Sequence, residues 1–474
     1  MKKYILLLMV AGFAMSCNKD FDSLNTDTKK PKDVEPAFLF SGAQRQLSDV
    51  LTNSNVNFNI FRLLAQYWTE TTYIDESNYD LNTRNIPQNF WNQMYVDVIE
   101  GLVDCQAQLN RVDPNLSTAA SKNKNACTEI MIVYSYSILV NTYGNVPYSE
   151  ALNINNVYPK YDDAAEIYGK LLTRLDAAMA ALDPAADGFG SADLLLGGNI
   201  GQWKVFGNSI KLKLGMMLAD SDPTLAKATV QAAAPNVMAS SDDNVIFHYM
   251  GSPPNTNPIW VDLVQSNRKD FVAANTIVDA MKPLGDPRIP EYFTVDATGG
   301  YTGGPYGDNN NYSTYSKPGS RILSQDFESI IMDYSEVSFL LAEAVERNFI
   351  SGVAANHYEE GIRASMNYWG ISDALATAYL QKPEVAYATA AGDWKQKIGV
   401  QKWIALYNRG FDAWTEIRRL DQPVLALPAD AVSGYPVRYT YPVQEQNLNT
   451  ANWEKASSDI GGDVVETKLF WDKN

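Results

Sequence analysis

Residues 334–361 read YSEVSFLLAEAVERNFISGVAANHYEEG, and the fold class turns on this stretch. Leu341, Ala342 and Val345 recur at the spacing of one helix face, Asn348 to Gly352 supplies a turn, and Ala354, Tyr358 and Gly361 resume the pattern on a second helix. Small residues meet large ones across the pair, so two antiparallel helices can interlock with the dimensions of a tetratricopeptide-type repeat. Ala164, Ala165, Tyr168 and Leu171 show the same alternation. The expectation is an all-α scaffold of degenerate helical repeats.

Working outward, helical periodicity dominates. Phe61, Leu64, Ala65 and Trp68 fall on one face, as do Trp91, Met94, Tyr95 and Val98 after a loop at Ile86-Pro87. Ile130, Val133, Tyr134, Ser137 and Ile138 continue until Gly144-Asn145-Val146-Pro147 stops them. Asp162-Asp163 opens a helix that runs through Leu182 and closes at Asp183-Pro184, and Gln202 to Ala219 forms another. From about 240 to 325 the texture changes: Ser252-Pro253-Pro254, Gly285-Asp286-Pro287, Gly299-Gly300, Gly303-Gly304-Pro305 and Asp308-Asn309-Asn310-Asn311 punctuate the chain. This predicts a long irregular insert. Excursions of that length are functional or disordered, and the tyrosines here argue against disorder.

The N-terminus predicts location. Lys2 and Lys3 precede an apolar run from Tyr4 to Met15, too short for the roughly 20 residues that a bilayer requires, and Ser16-Cys17 follows. Residues 1–16 read as a lipoprotein export signal, Cys17 as the lipid acceptor, residues 17–36 as a tether, and 37–474 as one helical domain. The formal charge of −17 becomes more negative once Lys2 and Lys3 are removed, which excludes nucleic acid as a partner. Cys105 and Cys127 fall on segments that would be antiparallel neighbours, so they form either a disulfide or two buried thiols.

Chemistry is sparse. Only two histidines, His248 and His357, occur, and HExxH, GxSxG, CxxC and GxxxxGK[ST] patterns are absent from the sequence. Gly299 to Gly304 lacks the spacing of a phosphate cradle. Asp308 to Asn311 could offer oxygens to calcium, but Ser313 stands where an EF-hand needs glycine. Carboxylates cluster at helix starts, where they satisfy free backbone donors. Neither a cofactor nor a catalytic group is expected. Aromatics are more informative: 10 Trp and 27 Tyr, with Tyr301, Tyr306, Tyr312 and Tyr315 inside the Gly/Asn-rich insert. Loop tyrosines present a flat apolar face and a hydroxyl, which suits stacking on sugar rings or peptide side chains. A second polar-aromatic loop, Tyr73 to Tyr79, is placed to face them.

Several stretches together resemble the SusD/RagB family of Bacteroidetes surface lipoproteins, in its second SusD-like subgroup. They are Gln66-Tyr67-Trp68 with Tyr73, Tyr143 to Ala151, Trp203 to Leu214, Asp286-Pro287-Arg288, Tyr334 to Ala344, Lys402 to Arg419, and Arg438-Tyr439 with Tyr441-Pro442. The resemblance implies TPR-like helix pairs in a right-handed superhelix with a loop-rich insert. It further implies a lid docked on a SusC-type TonB-dependent outer-membrane transporter, and capture of oligosaccharide or, alternatively, peptide, without catalysis; a surface glycoside hydrolase is the competing enzymatic reading. Asp20 and Asp22 resemble the family's surface-export signal, with Lys19 as a departure. These stretches read mostly as scaffold: Glu416, Arg418 and Arg419, with Trp403 and Trp414, predict a buried ion-pair and aromatic junction at a helix break, Asn408-Arg409-Gly410. Ligand residues of the family lie in variable loops with no residue-by-residue match here. The candidates are therefore chosen by position: Tyr73, Asp75, Tyr79 and Arg84 from the first loop, and Trp260, Tyr301, Tyr306 and Tyr312 from the insert, Trp260 being loop-borne after Asn257-Pro258.

Overall fold

The computed structural model describes residues 34–473; Cys17, Asp20, Asp22, the predicted export signal and most of the predicted tether lie outside the described residues. Helix α1 (Pro36–Thr52) starts with proline in its first turn, where a missing N–H costs nothing. Strand β1 (Trp68–Glu70) follows, then a continuous helical rod of Ile86–Asn92, a π-helical turn Gln93–Ile99 and α2 (Glu100–Val112). Helices α3 (Ala119–Tyr143), α4 (Ala164–Ala181) and α5 (Ile200–Met217) come next, and then the insert with β2 (Val245–Phe247) and β3 (Phe271–Ala273). After β4 (Ser329–Met332) the chain returns to helices: α6 (Tyr334–Glu346), α7 (Ala354–Tyr368), α8 (Trp394–Ala405) and α9 (Gly410–Leu420). The sheets are two antiparallel pairs, β1 with β3 and β2 with β4.

The expected helix pair is α6 and α7. Asp333 caps α6 by accepting from the Glu336 amide at 2.8 Å. Phe339 lies so close to α7 that a Cβ at Gly361 would sit 2.9 Å from its ring, so only glycine permits this approach. Helices α3 and α4 pack likewise, with the Tyr168 hydroxyl donating to Asn141 Oδ1 at 2.5 Å. Within α3, Ser135 and Ser137 donate to the carbonyls of Met131 and Tyr134, which lets polar residues occupy a buried helix. No helix among the described residues is long and apolar enough to cross a membrane.

One expectation is corrected and one open alternative is decided. Phe61 to Trp68 is not one helix: only Phe61–Leu64 forms a helical turn, Gln66 takes φ +52° and β1 begins at Trp68. Every residue from 61 to 70 is buried, so its apolar spacing marks a segment enclosed on all sides rather than one helix face. A Cβ on Gly410 would lie 2.6 Å from the Arg62 amide nitrogen, which shows how tightly α9 closes over it. Cys105 and Cys127 are both free and buried. Cys105 Sγ donates to the Pro36 carbonyl at 3.3 Å and faces the Thr128 hydroxyl at 3.6 Å, so the residue opposite it across the α2–α3 pair is Thr128.

The junction at the helix break is a buried ionic network. Arg419 pairs with Glu343 and with Glu416 (2.6 Å), Lys402 lies 2.9 Å from Glu416, and Lys213 lies 2.8 Å from Glu336. Arg418 departs from the ion-pair expectation. Its guanidinium lies 3.4 Å from the Trp414 ring centre and donates to the carbonyls of Asn141 and Val437.

Candidate functional site

The two loops singled out in the sequence meet because β1 and β3 pair. Their register, Trp68 with Ala273 and Glu70 with Phe271, puts the exit of β1 beside the entry of β3. Thr71 secures the junction, its amide donating to the Asp270 carbonyl at 2.8 Å and its hydroxyl to the Lys269 carbonyl at 2.6 Å. The insert then folds across. The Gly307 amide donates to Thr69 Oγ1 at 3.1 Å and Asn78 Nδ2 to the Gly307 carbonyl at 2.8 Å. Asn310, almost fully buried, donates its amide to the carbonyls of Glu70 (3.1 Å) and Asp308 (2.7 Å).

Two adjoining concavities result, sharing Thr72 and Asp270. One, of about 160 Å³, lies among Glu70, Tyr73, Arg84 and Arg268. The other, of about 520 Å³, lies among Lys269, Asn309, Asn311 and Tyr312. Grooves of similar size occur over Tyr148 and Arg174 on α4, and between Tyr358 and Lys397 in the repeat region. The β1–β3 cleft differs from them in joining aromatic and polar side chains from two loops.

The structure sorts the candidate residues. Tyr73 is 77 % exposed and held at φ +56°. Arg84 is half-buried, paired with Glu76 and 3.9 Å from the exposed Asp75. Tyr312 is half-buried with two ammonium groups near its ring, Lys269 at 5.8 Å and Lys317 at 5.3 Å from the centroid. Tyr79 and Tyr306 are buried, contrary to a ligand-facing placement. Gln66 Nε2 donates to the Tyr79 hydroxyl at 3.0 Å, and the Tyr306 hydroxyl donates to the Leu63 carbonyl at 2.7 Å. Their rings, 6.2 Å apart, are part of the core beneath the loops. Tyr301 packs on the core and lines neither concavity; Trp260 is half-buried on a π-helical turn, Trp260–Gln265, rather than in a loop.

Sequence reasoning missed the acidic floor. Glu70 and Glu76 are buried, and Ser77 turns the loop back so that its amide donates to Glu70 Oε2 at 2.9 Å. Burial, followed by the neighbouring Glu76 charge, lifts the Glu70 carboxyl well above the usual carboxylate range; burial also lifts Glu76, against the pull of Arg84. Both shifts favour the protonated form, and more strongly at Glu70, because Arg84 lies against Glu76. A hydrolytic carboxylate pair stands apart with a sugar between, at separations of about 5 Å or more. Glu70 and Glu76 are instead buried neighbours, and Glu76 has no exposed surface. Among the described residues, no group of three or more His, Cys, Asp or Glu could hold a metal ion.

Residues 28–442 match a family model described as SusD-like, starch-binding associating with outer membrane. The chain belongs to the SusD-like family. No curated protein matches the sequence. Among solved structures, a chitin-binding protein superposes with a TM-score of 0.81 at 25% identity, covering 93% of this chain and all of its own. A chitin-binding SusD homologue from Flavobacterium johnsoniae gives 0.79 at 24% identity over 92% of this chain and 99% of its own. A SusD homologue from Bacteroides uniformis gives the same score and identity over the same shares. The all-α SusD-like fold with TPR-like pairs is thus shared along nearly the whole length, and it is the scaffold common to the family that the ionic junction at α9 holds together.

Proposed function

We propose that this SusD-like chain is a lipid-anchored surface receptor that captures an oligosaccharide in the β1–β3 cleft and hands it to a SusC-type TonB-dependent transporter in the outer membrane. The observation that carries the reading is the pairing of exposed aromatic surface with polar groups in one cleft: Tyr73 in the smaller concavity, and Tyr312 with Asn309 and Asn311 in the larger. Aromatic faces take the apolar side of a sugar ring while amides and charged groups orient its hydroxyls. The family description and the chitin-binding relatives support the ligand class. The full burial of Glu76, which keeps it from a bound sugar, supports binding without cleavage. Cys17, placed by sequence alone, would supply the anchor.

Calorimetric titration of protein beginning after Cys17 against an oligosaccharide panel, with mass spectrometry for breakdown, tests this reading. Saturable binding without products, weakened at least about tenfold by Tyr73→Ala with Tyr312→Ala, is expected. Peptide binding instead would move the reading to the peptide alternative, products would restore the hydrolase, and binding indifferent to both tyrosines would place the site elsewhere. Affinity purification from detergent-solubilised outer membrane is expected to recover a large barrel protein; a preparation without one would remove the transporter from the account.

A further inference from the structure

Charge is distributed unevenly in the cleft. Arg268 is paired with Asp270 at 2.6 Å, and Arg84 is paired with Glu76 and lies near Asp75. The two lysines at Tyr312 are different. Among the described residues, neither Lys269 nor Lys317 has a carboxylate within ion-pair distance; Lys317 Nζ donates to the Tyr315 carbonyl at 2.8 Å, and both ammonium groups lie within 6 Å of the Tyr312 ring centre. Asp270, next to Lys269 in sequence and lining the same groove, is taken up by Arg268, and among the described residues Asp308 forms no ion pair with either lysine. In a chain carrying −17, two uncompensated cations beside a half-exposed ring in a groove are a local reversal of sign.

Of the other polar groups there, Asp270 is already paired with Arg268, and Asn309 brings a side-chain amide. Asn311 Oδ1 already accepts from the Ser313 amide (2.9 Å) and hydroxyl (2.7 Å), so Asn311 has only its amide N–H groups left to offer. Two ammonium groups without a carboxylate partner, beside side-chain amides, a ring and an Asp270 already neutralised by Arg268, are complemented by an anionic group attached to an apolar-faced ring. We propose that the captured ligand is an anionic saccharide, its carboxylate or sulfate group meeting Lys269 and Lys317 while a sugar face packs on Tyr312. This rests on the capture reading above and deepens it by naming the ligand class. Lys269 is exposed on a flexible stem, so it also attracts the anion before contact, and binding weakens as salt rises.

Uronate oligosaccharides of galacturonic, glucuronic and mannuronic type separate charge from shape when each is compared with its carboxyl-reduced neutral counterpart, with a sulfated oligosaccharide as a further arm. Titrations use the whole chain after Cys17, native and with Lys269→Met plus Lys317→Met, which keeps the apolar stems and removes the charges. The expected result is that at least one acidic probe binds about tenfold tighter than its neutral counterpart, and that the ratio falls to about one in the double variant. Preference for the sulfated probe alone, lost in the same variant, supports the proposal with sulfate as the anion. Equal binding of acid and neutral forms, or binding of neutral sugars only, overturns the proposal and leaves capture standing. Binding of no saccharide, or of acidic peptides only, overturns both.

Discussion

Glu70→Gln tests how the floor of the cleft is held. In the unfolded chain Glu70 ionises near the ordinary glutamate value of about 4.3. In the fold its pKa is raised, first by burial and then by Glu76, so from that value upward the folded chain holds a proton that the unfolded chain has lost. Stability therefore falls as pH rises through this window, by up to about 1.4 kcal/mol per pH unit, until Glu70 ionises in the fold as well. Glutamine reproduces the neutral state: its carbonyl can accept from the Ser77 amide as Glu70 Oε2 does at 2.9 Å, and its amide has donors to offer the neighbouring Glu76 carboxylate. The variant should match the native protein near pH 4.5 and become progressively more stable than it toward pH 8. Unfolding entropy of about 2 cal/mol/K per residue over 474 residues makes each pH unit worth about 1.4 °C in melting temperature. Melting curves of both proteins from pH 4.5 to 8 give the answer as a difference. Subtraction matters because burial also raises Asp49, Asp262, Asp333 and Asp472, whose contributions are common to both proteins. A difference that stays flat with pH would mean that Glu70 is ionised in the fold.

Other perturbations reach the scaffold and the surface. Tyr73→Ala should change stability by less than about 0.5 kcal/mol while lowering saccharide affinity, because a side chain 77 % exposed contributes little to the core; a large drop in melting temperature would contradict its placement. Gly361→Ala puts a Cβ 2.9 Å from the Phe339 ring and should cost about 1–3 kcal/mol in chemical denaturation, so a stabilised variant would mean that α6 and α7 are less closely packed. Arg419→Met leaves Glu343 and Glu416 buried with one partner fewer and should cost about 3–5 kcal/mol at pH 7, a loss that a near-neutral result would refute. Alkylation followed by mass spectrometry should modify Cys105 and Cys127 only after unfolding and without reductant; a need for reductant would establish the disulfide.

What the sequence shows and hides follows from which interactions are local. The α6–α7 pair is legible because α7 buries one face, so Ala354, Tyr358, Gly361, Ile362 and Ser365 print the helical period after the Asn348 to Gly352 turn, and that partner fixes the reading of α6, which is buried on every side from Ser335 to Ala344. Phe61 to Trp68 misleads for the opposite reason: it is enclosed on every side, and enclosure erases the difference between a helical turn and a strand. The meeting of the two loops was foreseeable as a position, but not the direction of each ring. Tyr73 and Tyr79 share one short loop, Tyr306 and Tyr312 another, and nothing local separates the exposed or half-exposed member of each pair from the buried one. The distinction is made by Gln66 and the Leu63 carbonyl beneath, and by the Gly307 and Asn310 bonds that fix the insert against β1. The Glu70–Glu76 pair was hidden in the same way, since six residues of separation mean nothing until Ser77 turns the loop back on the strand. If this account is correct, ligand identity is written in the side chains that the β1–β3 pairing leaves outward, and the shared scaffold constrains it little. Relatives that keep the ionic junction at α9 while exchanging Lys269, Asn311, Tyr312 and Lys317 would keep the fold and change the sugar.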